Sequence, residues 1–218
     1  MERLTAAALR REQEATLTAP RMRYGMLARV LFTGMDLVYG RRRTLQKFKV
    51  LELIARVPYQ AWEQVAYVAI THAAHTPAFA RRIFDRVRES RAQQDNEQWH
   101  LFILEELMAH RGTRQGFFWF WLVPQLVAFT YYQVVWLLYV IRPAWAYSLN
   151  AQFEDHAEHE YMEFVRDHPQ LEDEAWVSSL ADDYGRFASL ADLFRQIGYD
   201  ERVHKEESLK WMSAPRFA

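Results

Sequence analysis

Two Glu-x-x-His pairs, Glu97/His100 and Glu201/His204, together with two further glutamates at helical positions, Glu52 and Glu154, limit the possible folds of this chain more than any other feature. A spacing of three on an α-helix turns both side chains of a pair to one face, so a carboxylate oxygen and an imidazole nitrogen can reach one metal ion. One Glu from each of two helices, with Glu-x-x-His from each of two others, is the ligand set of a di-iron carboxylate bundle. The steps Glu52 to Glu97, Glu97 to Glu154 and Glu154 to Glu201 are 45, 57 and 47 residues, each close to two helices of about 20 residues plus a turn. With 18 Glu and 8 His in 218 residues, chance supplies about 0.7 such pairs. Two are present, in register with the other two glutamates.

Half of the residues are hydrophobic, Gly and Pro number only seven each, and apolar residues recur at helical rather than alternating spacing. An all-α fold is expected: a ferritin-like four-helix bundle with a di-iron core and two additional helices at a membrane interface. Residues 1–218 read as a single domain, with basic and amphipathic helices over 1–40 and the bundle over 41–212, including a crossover helix over 117–141. The absence of cysteine excludes disulfides, thiolate metal sites and Cys nucleophiles and fits a reducing compartment. A metal here must be held by oxygen and nitrogen.

Residues 1–50 hold 11 of the 27 Lys/Arg and 4 of the 28 Asp/Glu, a net of +7 against −8 for the remainder. A basic arm suits nucleic acid or an anionic membrane. The segment Met22–Tyr39 favours the membrane and no nucleic-acid partner: Met22, Met26, Leu27, Val30, Leu31, Met35, Leu37 and Val38 form an apolar surface and Arg41, Arg42 and Arg43 follow at once, the pattern of a helix lying in the interface. Met1–Pro20 is polar and charged, so no signal peptide is expected. Phe117–Ile141 is 25 residues without a charge, long enough to span a bilayer. The four glutamates must meet at one site, however, and something must carry the chain back between the second and third ligand helices. A crossover helix with one side on the bundle and the other in lipid does this, entering one leaflet without spanning.

Along the chain, a charged helix is expected near 3–18, the interfacial helix at Met22–Tyr39, and a helical stretch near 42–75 that carries Glu52 and is kinked or interrupted by Pro58 one to two turns later. Pro77 restarts a helix to about His110, closed by Arg111-Gly112. After Arg142-Pro143 a helix runs to about Asp167, ended by His168-Pro169. A last helix is expected from Trp176 to about Met212.

At these same residues the chain resembles the alternative oxidases. Leu51-Glu52-Leu53-Ile54-Ala55-Arg56-Val57-Pro58-Tyr59, Asn96-Glu97-Gln98-Trp99-His100-Leu101, Glu154-Asp155-His156-Ala157 through Tyr161, and Asp200-Glu201-Arg202-Val203-His204 are similar to that family's four signature segments. Arg56–Tyr59, Ile103–Leu107 and His156-Ala157 resemble its plastid terminal oxidase branch more than the mitochondrial one. The resemblance implies a membrane-bound, cyanide-insensitive quinol oxidase that reduces O₂ to water at a non-haem centre of two Fe ions. It places Glu52, Glu97, His100, Glu154, Glu201 and His204 on the iron ligands, Tyr161 on the redox tyrosine, and Asn96 and Asp200 on residues that orient ligands through hydrogen bonds. Lys47, Leu51, Ala157 and Glu160 fall on positions lining the quinol slot. Lys47 stands where the family usually has an arginine, which keeps the charge and loses the bidentate fork, and Tyr147 stands for a histidine common in the mitochondrial branch.

Four carboxylates and two Fe²⁺ sum to a neutral site that can be buried. Tyr161, seven residues after Glu154, returns to the same helical stripe and can lend an electron and a proton. Glu158 shares the face of Glu154 and competes with it as ligand, the motif register favouring Glu154. His72 and His75 read as surface histidines, and His156 and His159 as surface residues or supports for the ligands. The expected partners are quinol, O₂, one leaflet of a bilayer and a second copy in a homodimer, on the cytoplasmic face of a bacterial inner membrane. The alternative function is a di-iron monooxygenase acting on a quinone precursor or another lipid-phase substrate; iron storage or a scaffold would have no use for the tyrosine.

Overall fold

Proline and glycine set most of the helix boundaries in the computed structural model, which describes residues 2–213. Thr5 caps α1 (Ala6–Thr18), its side chain accepting from the Ala8 N–H. After α2 (Met26–Tyr39), Thr44 caps α3 (Leu45–Ala55) by accepting from the Lys47 N–H. Pro58 has no N–H with which to continue that ladder, so the chain breaks at Arg56 and resumes as α4 (Val57–Ala73). Pro77 opens α5 (Pro77–His110). Gly112, at φ +61°, closes it in a Schellman turn, with Thr113 N–H on Met108 O and Gly112 N–H on Ala109 O. Phe118–Leu122 then winds as a π-helix and passes into α6 (Val123–Ile141), with Pro124 at the junction, where a missing N–H costs least. Pro143 opens α7 (Pro143–Asp167), and α8 (Leu190–Ser213) ends the described chain. No strand occurs among the described residues.

α7 packs most extensively on α8, and α3 and α4 pack on α5. These two layers face each other as the bundle, around a core that includes Ile54, Leu104, Phe153 and Phe194, each contributing about 1.5–3 kcal/mol by leaving water. α1 lies across α7 and α8, and α6 lies outside the bundle against α4 and α7. On α6, Tyr131, Val135 and Tyr139 recur every four residues and are buried, while Leu126, Phe129, Leu137 and Ile141 face outward. α2 runs beside it, Tyr39 Oη donating to Trp119 O at 2.9 Å. Together α2 and α6 present one continuous apolar outer surface, from Met26 and Leu37, 77% and 81% exposed, to Trp119 and Trp121. Phe118–Ile141 is long and apolar enough to cross a membrane by length and composition, and only 28% of its most apolar window is buried.

Three boundaries differ from those read in the sequence. The first helix begins at Ala6 rather than near residue 3. The second starts at Met26, because the backbone donors ahead of it find side chains on α7: Met22 N–H bonds Asp155 Oδ2 at 2.9 Å and Gly25 N–H bonds Gln152 Oε1 at 2.5 Å. Met35, expected on the apolar surface, is buried against the bundle. The last helix begins at Leu190, not Trp176. Glu106 on α5 takes the Ser178 hydroxyl and the Ser179 N–H, Arg111 holds Glu174, and Gly185 sits at φ +143°, so the backbone of 173–189 is held in a loop that a helix could not follow.

Candidate metal centre

Six side chains from the bundle converge with no exposed surface: Glu52 from α3, Glu97 and His100 from α5, Glu154 from α7, Glu201 and His204 from α8. They form two groups whose donor atoms lie within 4.8 Å of one another, Glu52/Glu97/His100/Glu201 and Glu97/Glu154/Glu201/His204. Glu97 and Glu201 belong to both, which is where carboxylates shared between two ions must stand. The structure therefore brings together all six residues singled out in the sequence. Glu158 is not with them; it accepts from Thr16 at 2.5 Å and from Arg202 and Lys205.

The hydrogen bonding of this cluster is incomplete in a way that calls for cations. Both oxygens of Glu97 and Glu201, Oε2 of Glu154 and both ring nitrogens of His204 are buried with no hydrogen-bond partner among the described residues. His204 Nδ1 nevertheless lies 2.5 Å from Glu97 Oε1, a close approach without hydrogen-bond geometry. On the other side His100 Nε2 lies 3.3 Å from Asp200 Oδ2, while Nδ1 faces Glu52 and Glu201 at 3.2 Å each. If Nε2 carries the proton toward Asp200, the Nδ1 lone pair points at carboxylate oxygens. Four buried carboxylates and two imidazoles so arranged fit two divalent ions bound by oxygen and nitrogen.

The ionisation of these groups follows from the same crowding. Burial pushes the carboxyls of Glu52 and Glu154 up, to about 7 and about 8, and Glu201 well above its usual range. Burial also opposes ionisation of Glu97, but His204 and His100 outweigh it and hold that carboxyl below the usual range. Burial disfavours charge on His100 too, yet the groups around it, among them Tyr184, Asp200 and Glu201, keep its pKa raised.

Around the cluster, Asp200 is fixed by four donors or rings: His100, Asn96 Nδ2 at 3.3 Å, Tyr184 Oη at 2.8 Å and Gln196 Nε2 at 2.9 Å. Tyr161 stands on α7 seven residues after Glu154, and its hydroxyl reaches across the bundle to donate to Glu52 Oε1. Its ring is stacked on Phe48 at 4.3 Å. Burial, with the carboxylates facing it, pushes the phenol well above its usual pKa. The mirror arrangement is made by Tyr59, whose Oη donates to Glu154 Oε1 at 2.9 Å. Sequence reasoning passed over Tyr59 although it stands seven residues after Glu52, as Tyr161 does after Glu154. Tyr184 lies on the loop and had no periodic signal.

The other sequence-predicted positions divide. Lys47, Leu51, Ala157 and Glu160 lie on facing stretches of α3 and α7 and are all buried. Lys47 pairs with Asp36 at 2.6 Å, and Glu160 with Arg21 at 2.9 Å and Arg43 at 3.2 Å. An open apolar cavity of about 370 Å³ lies instead between α2, α6 and α7, lined by Leu31, Val127, Tyr131 and Leu149 among others. His72 and His75 are exposed. His159 is buried and His156 half-buried, because α2 and the segment before it cover them: His156 stacks on Phe32 at 3.9 Å, burial pulling its pKa down to about 4, and His159 faces Ala19 O at 3.4 Å.

A bundle of four helices that buries two carboxylate–histidine groups sharing two glutamates defines a di-metal carboxylate protein. The family model described as alternative oxidase matches residues 5–211, and the chain belongs to the alternative oxidase family. It is 35% identical over 132 residues to ubiquinol oxidase 4, chloroplastic/chromoplastic, of Arabidopsis thaliana, covering 61% of this chain and 34% of that protein. To ubiquinol oxidase 2, mitochondrial, of the same plant it is 25% identical over 175 residues, covering 78% of this chain and 46% of that one. The chain thus spans less than half the length of these relatives.

Proposed function

We propose that this protein is a membrane-bound quinol oxidase that passes electrons from quinol to O₂, giving quinone and water, at a centre of two irons held by Glu52, Glu97, His100, Glu154, Glu201 and His204. The observation that carries this reading is the buried cluster of six side chains, in which Glu97, Glu201, His204 and Oε2 of Glu154 have no hydrogen-bond partner among the described residues. Family membership and the names of the two plant relatives support quinol as the reductant and do not favour the monooxygenase.

Two irons, when bound, would supply the O₂-binding position and two of the electrons its reduction needs. The protein's own groups do the rest. Asp200 accepts a hydrogen bond from His100 Nε2–H and so keeps the Nδ1 lone pair free to ligate, while Asn96, Tyr184 and Gln196 hold Asp200 in place. Tyr161 can release an electron with its hydroxyl proton, which is hydrogen-bonded to Glu52 Oε1. Its ring is clamped by Phe48 and Phe194, so little rearrangement accompanies the transfer. By the resemblance, Lys47, Leu51, Ala157 and Glu160 mark where a quinol head group would bind; Lys47 is paired with Asp36 and Glu160 with Arg21 and Arg43, so a head group that reaches them displaces these pairs.

The apolar surface of α2 and α6 supports attachment to one leaflet, the bundle remaining outside the hydrocarbon. We place it on the cytoplasmic face of a bacterial inner membrane, as a homodimer. O₂ uptake by iron-loaded protein in detergent, with quinol and in the presence of cyanide, tests the function. Uptake with two quinols oxidised per O₂ is expected; no uptake, or a hydroxylated ring product, overturns it.

A further inference from the structure

Oxidisable rings run from the metal centre to the surface on the side away from Tyr161. Tyr59 Oη donates to Glu154 Oε1 at 2.9 Å and accepts from Asn150 Nδ2 at 3.2 Å. Its ring meets Trp62 edge-on, centroids 5.2 Å apart at 85°. Trp62 contacts Tyr147 at 4.7 Å and stacks on Tyr139 at 5.8 Å, and the two phenols hydrogen-bond at 3.1 Å. Trp136, one helical turn before Tyr139 on α6 and half-buried, donates from Nε1 to Gln64 at 2.5 Å and brings the row to the surface. Packing alone does not ask for these residue types. Phenylalanine would fill much of the same space, and it would spare the buried Trp62 Nε1–H, which has no hydrogen-bond partner among the described residues.

Resting on the quinol oxidase reading, we propose that Tyr59, Trp62, Tyr139, Tyr147 and Trp136 form a path along which the centre draws an electron from the surface when O₂ is consumed without quinol, sparing its ligands from oxidation. O₂ takes four electrons and four protons to become two waters. Two bound irons would supply two electrons, and Tyr161 supplies one with its proton. The fourth leaves Trp62 by way of Tyr59. The charge left on the indole passes to the Tyr139–Tyr147 pair, which releases a phenolic proton, and solvent provides the remaining two protons. A soluble donor of one electron and one proton, such as ascorbate, reduces the path at the surface through Trp136 and so restores the buried phenol.

The test mixes iron-loaded, Fe²⁺ protein in detergent with O₂ and no quinol, freezes it over a time series for electron paramagnetic resonance, and maps oxidised peptides afterwards. A tryptophan or tyrosine radical is expected that persists in Tyr161→Phe and is quenched by ascorbate, with oxidation products at Trp62, Tyr139 or Tyr147. Trp62→Phe should lose that radical and inactivate faster on repeated exposure to O₂, while its initial rate with quinol stays at the parent level. A Tyr139→Phe/Tyr147→Phe double variant, which keeps both rings, should instead concentrate the damage at Trp62. Parent protein that shows no radical beyond that of Tyr161, and no oxidation at these positions, overturns the path. Parent protein that binds iron but oxidises no quinol overturns the oxidase reading instead, and the radical measurement still decides the path because it needs only iron and O₂.

Discussion

Tyr161 and Tyr59 occupy equivalent places, each seven residues after a glutamate, Tyr161 on the same helix as Glu154 and Tyr59 on α4 just past the break from Glu52 on α3, and each donates to the other's glutamate. The spacing was legible; the crossing was not, because helical periodicity says which face a residue shares but not how far a phenol reaches over the space between helices. The six donors were legible for the opposite reason. Their chemistry demands convergence, and residue types with order along the chain already imply it. Tyr161→Phe keeps ring and packing and removes only the hydroxyl, so iron content and thermal stability should stay near the parent while quinol-driven O₂ uptake falls about 10²-fold or more. A variant that turns over at the parent rate would make Tyr161 a packing residue.

At the scale of elements, boundaries punctuated by Pro and Gly were readable, as in α5 from Pro77 to His110. The segment 173–189 was not, because its course depends on Glu106 and Arg111, more than sixty residues away in sequence. The last helix was expected from Trp176, and side chains from α5 hold this segment otherwise. This loop delivers Tyr184 to Asp200, so its geometry matters to the centre. Gly185, at φ +143°, has Arg3 and Phe187 atoms 3.2 Å from where a Cβ would stand. Gly185→Ala should therefore lower stability by about 1–3 kcal/mol, read by urea unfolding at fixed iron content. An unchanged midpoint would mean that the loop relaxes freely.

For the whole molecule, folding and metal loading are linked through protons. The carboxyls of Glu52 and Glu154 are raised from 4.5 to about 7 and about 8. A carboxyl raised in this way stabilises the fold while protonated, so its contribution is complete below about pH 4.5 and is lost as pH rises through about 7–8. Iron binds the ionised forms. Protein stripped of iron should melt at progressively lower temperature from about pH 5 to about pH 8 while loaded protein changes less, so the gap in Tm widens with pH; parallel curves would argue against these carboxyls as ligands. The apolar surface of α2 and α6 makes a separate prediction at this scale: membranes containing the protein should release it to detergent and not to high salt, since screening weakens the basic arm and leaves apolar burial intact. Release by salt alone would contradict attachment through that surface. The central claim is that six buried side chains hold two irons, and an anaerobic Fe²⁺ titration tests it most directly. The account predicts two irons per chain in the parent and loss of both, with activity, in Glu97→Ala and Glu201→Ala, because each of these carboxylates serves both donor groups. Folded parent protein that takes up no iron, or either variant retaining two irons and full turnover, would contradict it.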